Sequence, residues 1–450
     1  MCSGILGITP ADNKELAPMN KTFTPSSDAD LAPFNRLESE VRSYVRAFPV
    51  LFDRGLNTTL IAADGREYID FFGGAGALNY GHNNPAFKQA LLDYIERDGI
   101  VHSLDLATNA KKAFIEAFEK HILQPRGLEY KLQFPGPTGT NAVEAALKLA
   151  RQATGSSNVV AFTNGFHGVS AGALAATGYK DFRTASGISL ANVTMLPYDG
   201  YLGEGIDTLD YFEKLLDDPN SGLDKPAAVI LEAVQGEGGI NIASTQWLRR
   251  LRELTKRHGI LLILDEIQAG IGRTGKFFAF EWSGIVPDII TLSKSLSAYG
   301  TPMSLVLIRP EIDVWKPAAH TGTFRGNNLA FVTAKAAFDV FWSDTKFQDE
   351  IARKSAVLEG ELKTIADAFP ALGLSVRGRG LMFGLVCDKH RTFASAVSKE
   401  ALSRGLVIET AGSYGEVVKF MTALTITEGD LRRGLGIIRD SISTLAAKFN

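Results

Sequence analysis

Lys294 stands where the apolar run VPDIITLSKSLS gives way to small polar residues. An ammonium is costly to desolvate and shifts its pKa readily. Beside a buried strand, its neutral amine can form a Schiff base with a carbonyl. Ligands of open α/β sheets bind outside the carboxyl ends of the strands, and four further features are expected there. GPTGTNAVEAALKLAR, residues 136–151, is a glycine-rich loop running into a helix. The N–H groups of Gly139 and Thr140, with the hydroxyls of Thr138 and Thr140, suit a phosphate. A plain N-cap at Thr138 or Thr140 is the alternative, and the Lys-Ser/Thr that ends a Walker loop is missing. Asp265 closes ILLILDE, where a carboxylate is expensive unless paired. A protonated pyridinium nitrogen would pair it; capping the next loop is the alternative, and Glu266 is a second candidate acid. Gln268, three residues on, is within reach of a phenolic oxygen on the same ring. In NGFHG, residues 164–168, Phe166 can stack on a flat ring with His167 beside it, against the ordinary reading of a core phenylalanine. Glu232 and Glu237 in EAVQGEGG need a nearby cation.

Taken together, these residues describe one ligand with a phosphate, a pyridine ring and an aldehyde. That ligand is pyridoxal 5′-phosphate, whose protein partners are a Schiff-base lysine and an acid at the ring nitrogen. No metal site is expected.

The elements that must hold this constellation follow from the apolar pattern. Strands are expected in KLQFPG, NVVAFTN, AAVILEAV, ILLILDE, DIITLSK and SLVLIR. The near-continuous apolar runs among them predict a parallel sheet buried on both faces. The helices NAVEAALKLARQAT and TQWLRRLRELTKRHG alternate with them, which predicts a doubly wound, mostly parallel α/β sheet. The expected division is an N-terminal extension over 1–35, poorly ordered, and a first part of a small domain over 36–84. A large cofactor-binding domain over 85–330 and a C-terminal α+β part over 331–450 complete it. Within 36–84, helical spacing covers 36–48, followed by a strand–turn–strand unit around Asp64-Gly65. In the last part, helices are expected near 331–343, 346–367, 392–404 and 428–447. Strands are expected around VRGRGLMFGLVCD and at 406–409. The small lobe is expected to unite the N-terminal hairpin with the C-terminal segment.

The 450-residue chain carries a formal net charge of −3 with no sustained basic stretch, which argues against nucleic acid as its partner. Two distant cysteines, Cys2 and Cys387, do not make a disulfide scaffold. No apolar run approaches a membrane span, and the N-terminus lacks the features of a signal peptide. The expected compartment is the cytoplasm.

At these residues the chain resembles the class III (ω-) aminotransferases of fold type I. The likeness is carried by LILDEIQAGIGRTGKFFAFEWSGIVPDIITLSKSL, residues 262–296, and HTGTFRGNN, residues 320–328. The resemblance spans about residues 36–445. It implies that Lys294 is the Schiff-base lysine, that Asp265 and Gln268 form the family's Asp-x-x-Gln, and that Thr323 reaches the phosphate in a neighbouring subunit. A homodimer or larger homo-oligomer is implied in turn. RLESEVRSYVRAFP, FFGGAGALNYGHNNP, HSLDLATNAK and AFTNGFHG look most like the diaminobutyrate–2-oxoglutarate transaminases of ectoine biosynthesis. That likeness implies amino transfer from L-glutamate to L-aspartate 4-semialdehyde, yielding 2-oxoglutarate and L-2,4-diaminobutyrate. Many relatives carry an arginine near the C-terminus that binds the substrate α-carboxylate and pairs with the glutamate matching Glu237. Here Lys419 occupies that position, a point charge in place of a bidentate fork. Other readings are an ω-aminotransferase acting on 4-aminobutyrate or ornithine, a racemase or mutase on the same scaffold, and a non-catalytic homologue.

Overall fold

The computed structural model describes residues 23–449. A seven-stranded sheet forms its centre, in the order Lys131–Gln133, Leu305–Ile308, Ile289–Leu292, Leu261–Asp265, Ala228–Leu231, Val159–Phe162, Val193–Leu196. Only Leu305–Ile308 runs against the others. Both faces are covered, which explains the unbroken apolar runs. Leu262 and Leu264 enter one core cluster, while Ile263 between them enters the other. The edge strand Val193–Leu196 does not stand out in the sequence, because three of its four residues are only partly buried.

Two smaller four-stranded sheets flank the centre. One joins Phe52–Leu56, Thr59–Ala62 and Glu67–Asp70 to Leu406–Val407, the last pairing parallel with Ile69 and Asp70. The other orders Ser375–Arg379, Met382–Val386, Val417–Phe420 and Glu409–Ala411. The single strand expected at 406–409 is therefore two, and they serve different sheets. Val417–Phe420 was not expected as a strand, since a lysine interrupts its apolar run. The unit around Asp64-Gly65 contains a further hairpin, where Leu56 faces Thr59 across Asn57, a left-handed residue with φ 48°.

The helix expected over 36–48 is not formed. A helix runs from Asp28 to Leu37, with the Ser27 hydroxyl accepting from the Asp30 amide, and Glu38 then turns extended. Only a short turn, Tyr44–Ala47, follows. Leu37 and Val41, whose spacing suggested a buried stripe, are 72% and 88% exposed. Among the described residues they have no apolar surface to hold a helix down. The expected poorly ordered extension, 1–35, thus includes helix from Asp28, and its residues 1–22 lie outside those described.

Arg273 ties these parts together. Fully buried, it donates from Nη1 to the carbonyls of Leu381 (3.0 Å) and Thr422 (2.5 Å), and from Nη2 to Asn79 Oδ1 (2.6 Å). Burial pulls its pKa down to about 9, against the opposing charge of Asp70. Among the described residues no helix is long and apolar enough to cross a membrane.

Candidate active site

The carboxyl ends of the central strands open into a cavity of about 350 Å³. It is lined by Thr138, Gly139, Thr140, Phe166, His167, Glu232, Glu237, Asp265, Gln268 and Lys294, with Gly168, Val169 and Ile267. Two candidate residues lie elsewhere. Lys419 is sealed behind Glu237, and Thr323 is exposed on a loop where its carbonyl meets His102 Nε2 at 2.6 Å.

The phosphate end is built by the helix Gly139–Thr154. Gly139 and Thr140 open this helix, so their amides have no intrahelical acceptor. Thr138 donates from N and Oγ1 to Asn141 Oδ1 (3.2 and 2.9 Å), which squares the loop onto the first turn. The Thr140 and Ser170 hydroxyls lie 2.6 Å apart, and Ser170 donates to Glu144.

Asp265 is the last residue of its strand and 3% exposed. Its Oδ1 accepts from Thr291 Oγ1 and the Ile267 amide, both at 3.1 Å, and its Oδ2 pairs with His167 Nδ1 at 2.7 Å. His167, placed beside Phe166 by sequence alone, is thus the buried ion partner of Asp265. Burial by itself would lower the pKa of His167; the hydrogen bond and charge of Asp265, with the charge of Glu232, raise it overall. Glu232 holds the turn that presents Phe166. Its two oxygens accept from the amides of Phe166 (2.8 Å) and Gly236 (3.1 Å), and burial pushes it up to about 7. Glu266 turns away, capping residues 279–280 with both oxygens.

Lys294 follows the strand Ile289–Leu292 and sits at φ 45°. Its Nζ donates to the Ala75 carbonyl at 2.9 Å. Burial lowers its pKa, Glu237 opposes and Lys419 reinforces that shift. Ala75 belongs to a left-handed turn, Gly73–Gly76, with φ 54°, 59°, 54° and 88°. Side chains at its ends have no space: a Cβ at Gly73 would lie 2.5 Å from the Met421 carbonyl oxygen. The same Ala75 carbonyl accepts from Gln268 Nε2 at 3.0 Å.

Gln268 Nε2 also reaches Glu237 Oε1 at 2.9 Å. Lys419 Nζ meets that oxygen at 2.8 Å, and also lies 2.8 Å from Glu409 Oε1, an ionic contact outside hydrogen-bond geometry. Burial opposes ionisation of Glu237, yet Lys419 and Lys294 hold its carboxyl down at about 2. Burial raises Glu409, with Lys419 pulling against it. Sequence reasoning missed Glu409, and also Tyr44, whose hydroxyl approaches Glu409 Oε2 at 3.4 Å. No local signal marks either residue; each acts across a long chain separation.

These residues fit pyridoxal 5′-phosphate. The amides at the helix start suit a phosphate, a buried carboxylate faces the cavity, and an amine of lowered basicity lies with them. Gln268 Oε1 is buried without a partner among the described residues.

The sequence matches the family profile described as aminotransferase class-III over residues 41–442. It is 58% identical over 414 residues to a diaminobutyrate–2-oxoglutarate transaminase of Bordetella parapertussis, covering 92% of this chain and 95% of the relative. The protein of the same name from Halomonas elongata is 56% identical over 409 residues, covering 90% and 97%. The fold superposes on the ornithine aminotransferase of Toxoplasma gondii with a TM-score of 0.81 at 28% identity, covering 94% and 96%.

Proposed function

The chain belongs to the class III aminotransferases, and from that premise we propose that it moves an amino group from L-glutamate to the terminal carbon of L-aspartate 4-semialdehyde. The products are 2-oxoglutarate and L-2,4-diaminobutyrate, and the reaction is reversible. The enzyme is a pyridoxal-phosphate-dependent transaminase. The observation that carries the reading is one cavity holding Lys294, Asp265, Gln268 and the helix start at Gly139, in a chain so similar to enzymes of that name.

When bound, the cofactor supplies an aldehyde for the amino group and a ring that withdraws electrons from the substrate carbon. The amides of Gly139 and Thr140 would hold its phosphate, Phe166 and Ile267 its ring, and Gln268 its phenolic oxygen. Asp265 would hold a proton on the ring nitrogen, itself held by Thr291, His167 and the Ile267 amide. Lys294, made less basic by burial, takes the proton from the substrate carbon that bears the amino group. A cytoplasmic enzyme supplying ectoine biosynthesis is consistent with these assignments and with the buried free thiol of Cys387.

Purified enzyme assayed against 2-oxoglutarate with L-2,4-diaminobutyrate, 4-aminobutyrate and L-ornithine is expected to prefer diaminobutyrate by about tenfold or more in kcat/KM. Preference for either other amine would overturn the substrate assignment. Amination of 2-oxoglutarate by none of the three would overturn the reaction class.

The active form is proposed to be at least a homodimer. Thr323 is exposed and lies beside Phe324, which is 67% exposed. Val101 and Leu104, 56% and 40% exposed, extend the apolar surface of the segment whose His102 meets Thr323. Thr323→Ala should leave the dimer intact by light scattering and weaken cofactor retention roughly tenfold, the worth of one hydrogen bond to an anion. A fully active monomer would contradict this.

A further inference from the structure

Lys419 does not sit in a simple ion pair. The antiparallel register of Glu409–Ala411 on Val417–Phe420 sets Glu409 directly opposite Lys419. On the other side Lys419 faces Gly384, which has no side chain to compete. Glu237 arrives from the loop after Val234–Gln235 and takes the same ammonium. Lys419 is fully buried, and Glu409 is 7% exposed. Two carboxylates therefore share one cation. Among the described residues neither makes a second ion pair, so two carboxylates are set against one ammonium. Of the four carboxylate oxygens, Glu237 Oε2 and Glu409 Oε1 accept no hydrogen bond from a described residue, and of the two residues only Glu237 lines the cavity.

We infer that Glu409 is a specificity-determining residue: by sharing Lys419, it leaves Glu237 with enough negative charge to receive the spare ammonium of a diamino acid substrate. This rests on the proposed function and extends it. The substrates differ in what remains once the reacting amine is placed. L-2,4-Diaminobutyrate reacting at its terminal amine still carries an α-ammonium beside its carboxylate. 4-Aminobutyrate reacting the same way carries only a carboxylate. With Lys419 and Glu237 alone the wall would be neutral and would not tell the two apart. The second carboxylate attracts the first compound and repels the second. Because strand register holds Glu409 against Lys419, this bias is fixed by the backbone.

The test compares wild type with Glu409→Gln, which keeps the shape and removes the charge, and Glu409→Asp, which keeps the charge. For Glu409→Gln, KM for diaminobutyrate should rise about tenfold while kcat changes less. KM for 4-aminobutyrate should fall or stay constant, and KM for L-glutamate should not rise. Glu409→Asp should restore the wild-type order. Calorimetric titration in a Lys294→Ala background gives the same comparison without turnover: Glu409→Gln should weaken diaminobutyrate alone. Glu409→Leu serves the same comparison if the glutamine variant fails to fold. Equal losses for all three substrates, or no loss for diaminobutyrate, would overturn the inference. Wild-type enzyme that does not use diaminobutyrate would instead overturn the proposed function.

Discussion

Lys294→Ala is expected to abolish transamination while leaving the fold intact. The side chain makes one hydrogen bond, to the Ala75 carbonyl, and otherwise meets the cavity. Its loss removes the only amine among the described residues that line the cavity. Proton transfer by a positioned base contributes on the order of 10²–10⁴-fold, and loss of the covalent anchor adds to that. The backbone should tolerate the change: Lys294 already sits at φ 45°, and alanine brings the same Cβ to that left-handed position. The melting temperature should therefore move by only a few degrees, about the worth of one hydrogen bond. Steady-state assays of both half-reactions check this; retained transamination would remove Lys294 from the role assigned to it.

The second large effect is expected at Asp265→Asn. Asparagine preserves the size of the side chain but takes the charge from a group facing both the cavity and His167. Removing one preorganised electrostatic group costs about 10²–10³-fold in kcat. Stability should change with a definite dependence on pH. Asp265 helps raise the pKa of His167 above its ordinary 6.5 in the folded chain. A raised folded value contributes stability that is complete below about 6.5 and fades as pH rises through the folded value. In the variant, burial remains without its counter-charge, so protonating His167 becomes unfavourable instead. The wild-type advantage in thermal stability should thus be greatest below about pH 6.5 and shrink as pH rises above it. Breaking a buried pair costs about 3–5 kcal/mol at its fullest. An advantage independent of pH would show that the pair is not ionised as described.

What the sequence revealed and what it concealed divide along physical lines. Lys294 and Asp265 are legible because strand ends are local: an apolar run stops, and a charged residue follows it. The loop at Gly139 is legible for the same reason, since glycine and threonine ahead of a helix have few uses. The two-faced burial of the sheet follows directly from runs such as ILLILDE. The pairing of His167 with Asp265 joins residues 98 apart, and Tyr44 approaches Glu409 across 365. Such contacts depend on how lobes dock, which no local spacing encodes. Lys419 shows the difficulty most plainly. Sequence places it opposite Glu237 by resemblance to an arginine, but Glu409 becomes visible only once two strands are in register. The failed helix at 36–48 has the opposite cause. Its apolar spacing is genuine, but nothing among the described residues covers Leu37 and Val41.

The left-handed turn at Gly73–Gly76 has a consequence for how the enzyme matures. The acceptor for the Lys294 amine comes from a residue 219 positions earlier in the chain. The central sheet could assemble with Lys294 in place, yet its amine would then remain hydrated and fully basic. Docking of the amino-terminal segment supplies the Ala75 carbonyl. Competence to capture the cofactor is therefore expected to follow docking of the amino-terminal segment. During refolding, cofactor capture should lag behind the appearance of secondary structure and coincide with protection of the Ala75 region from hydrogen exchange.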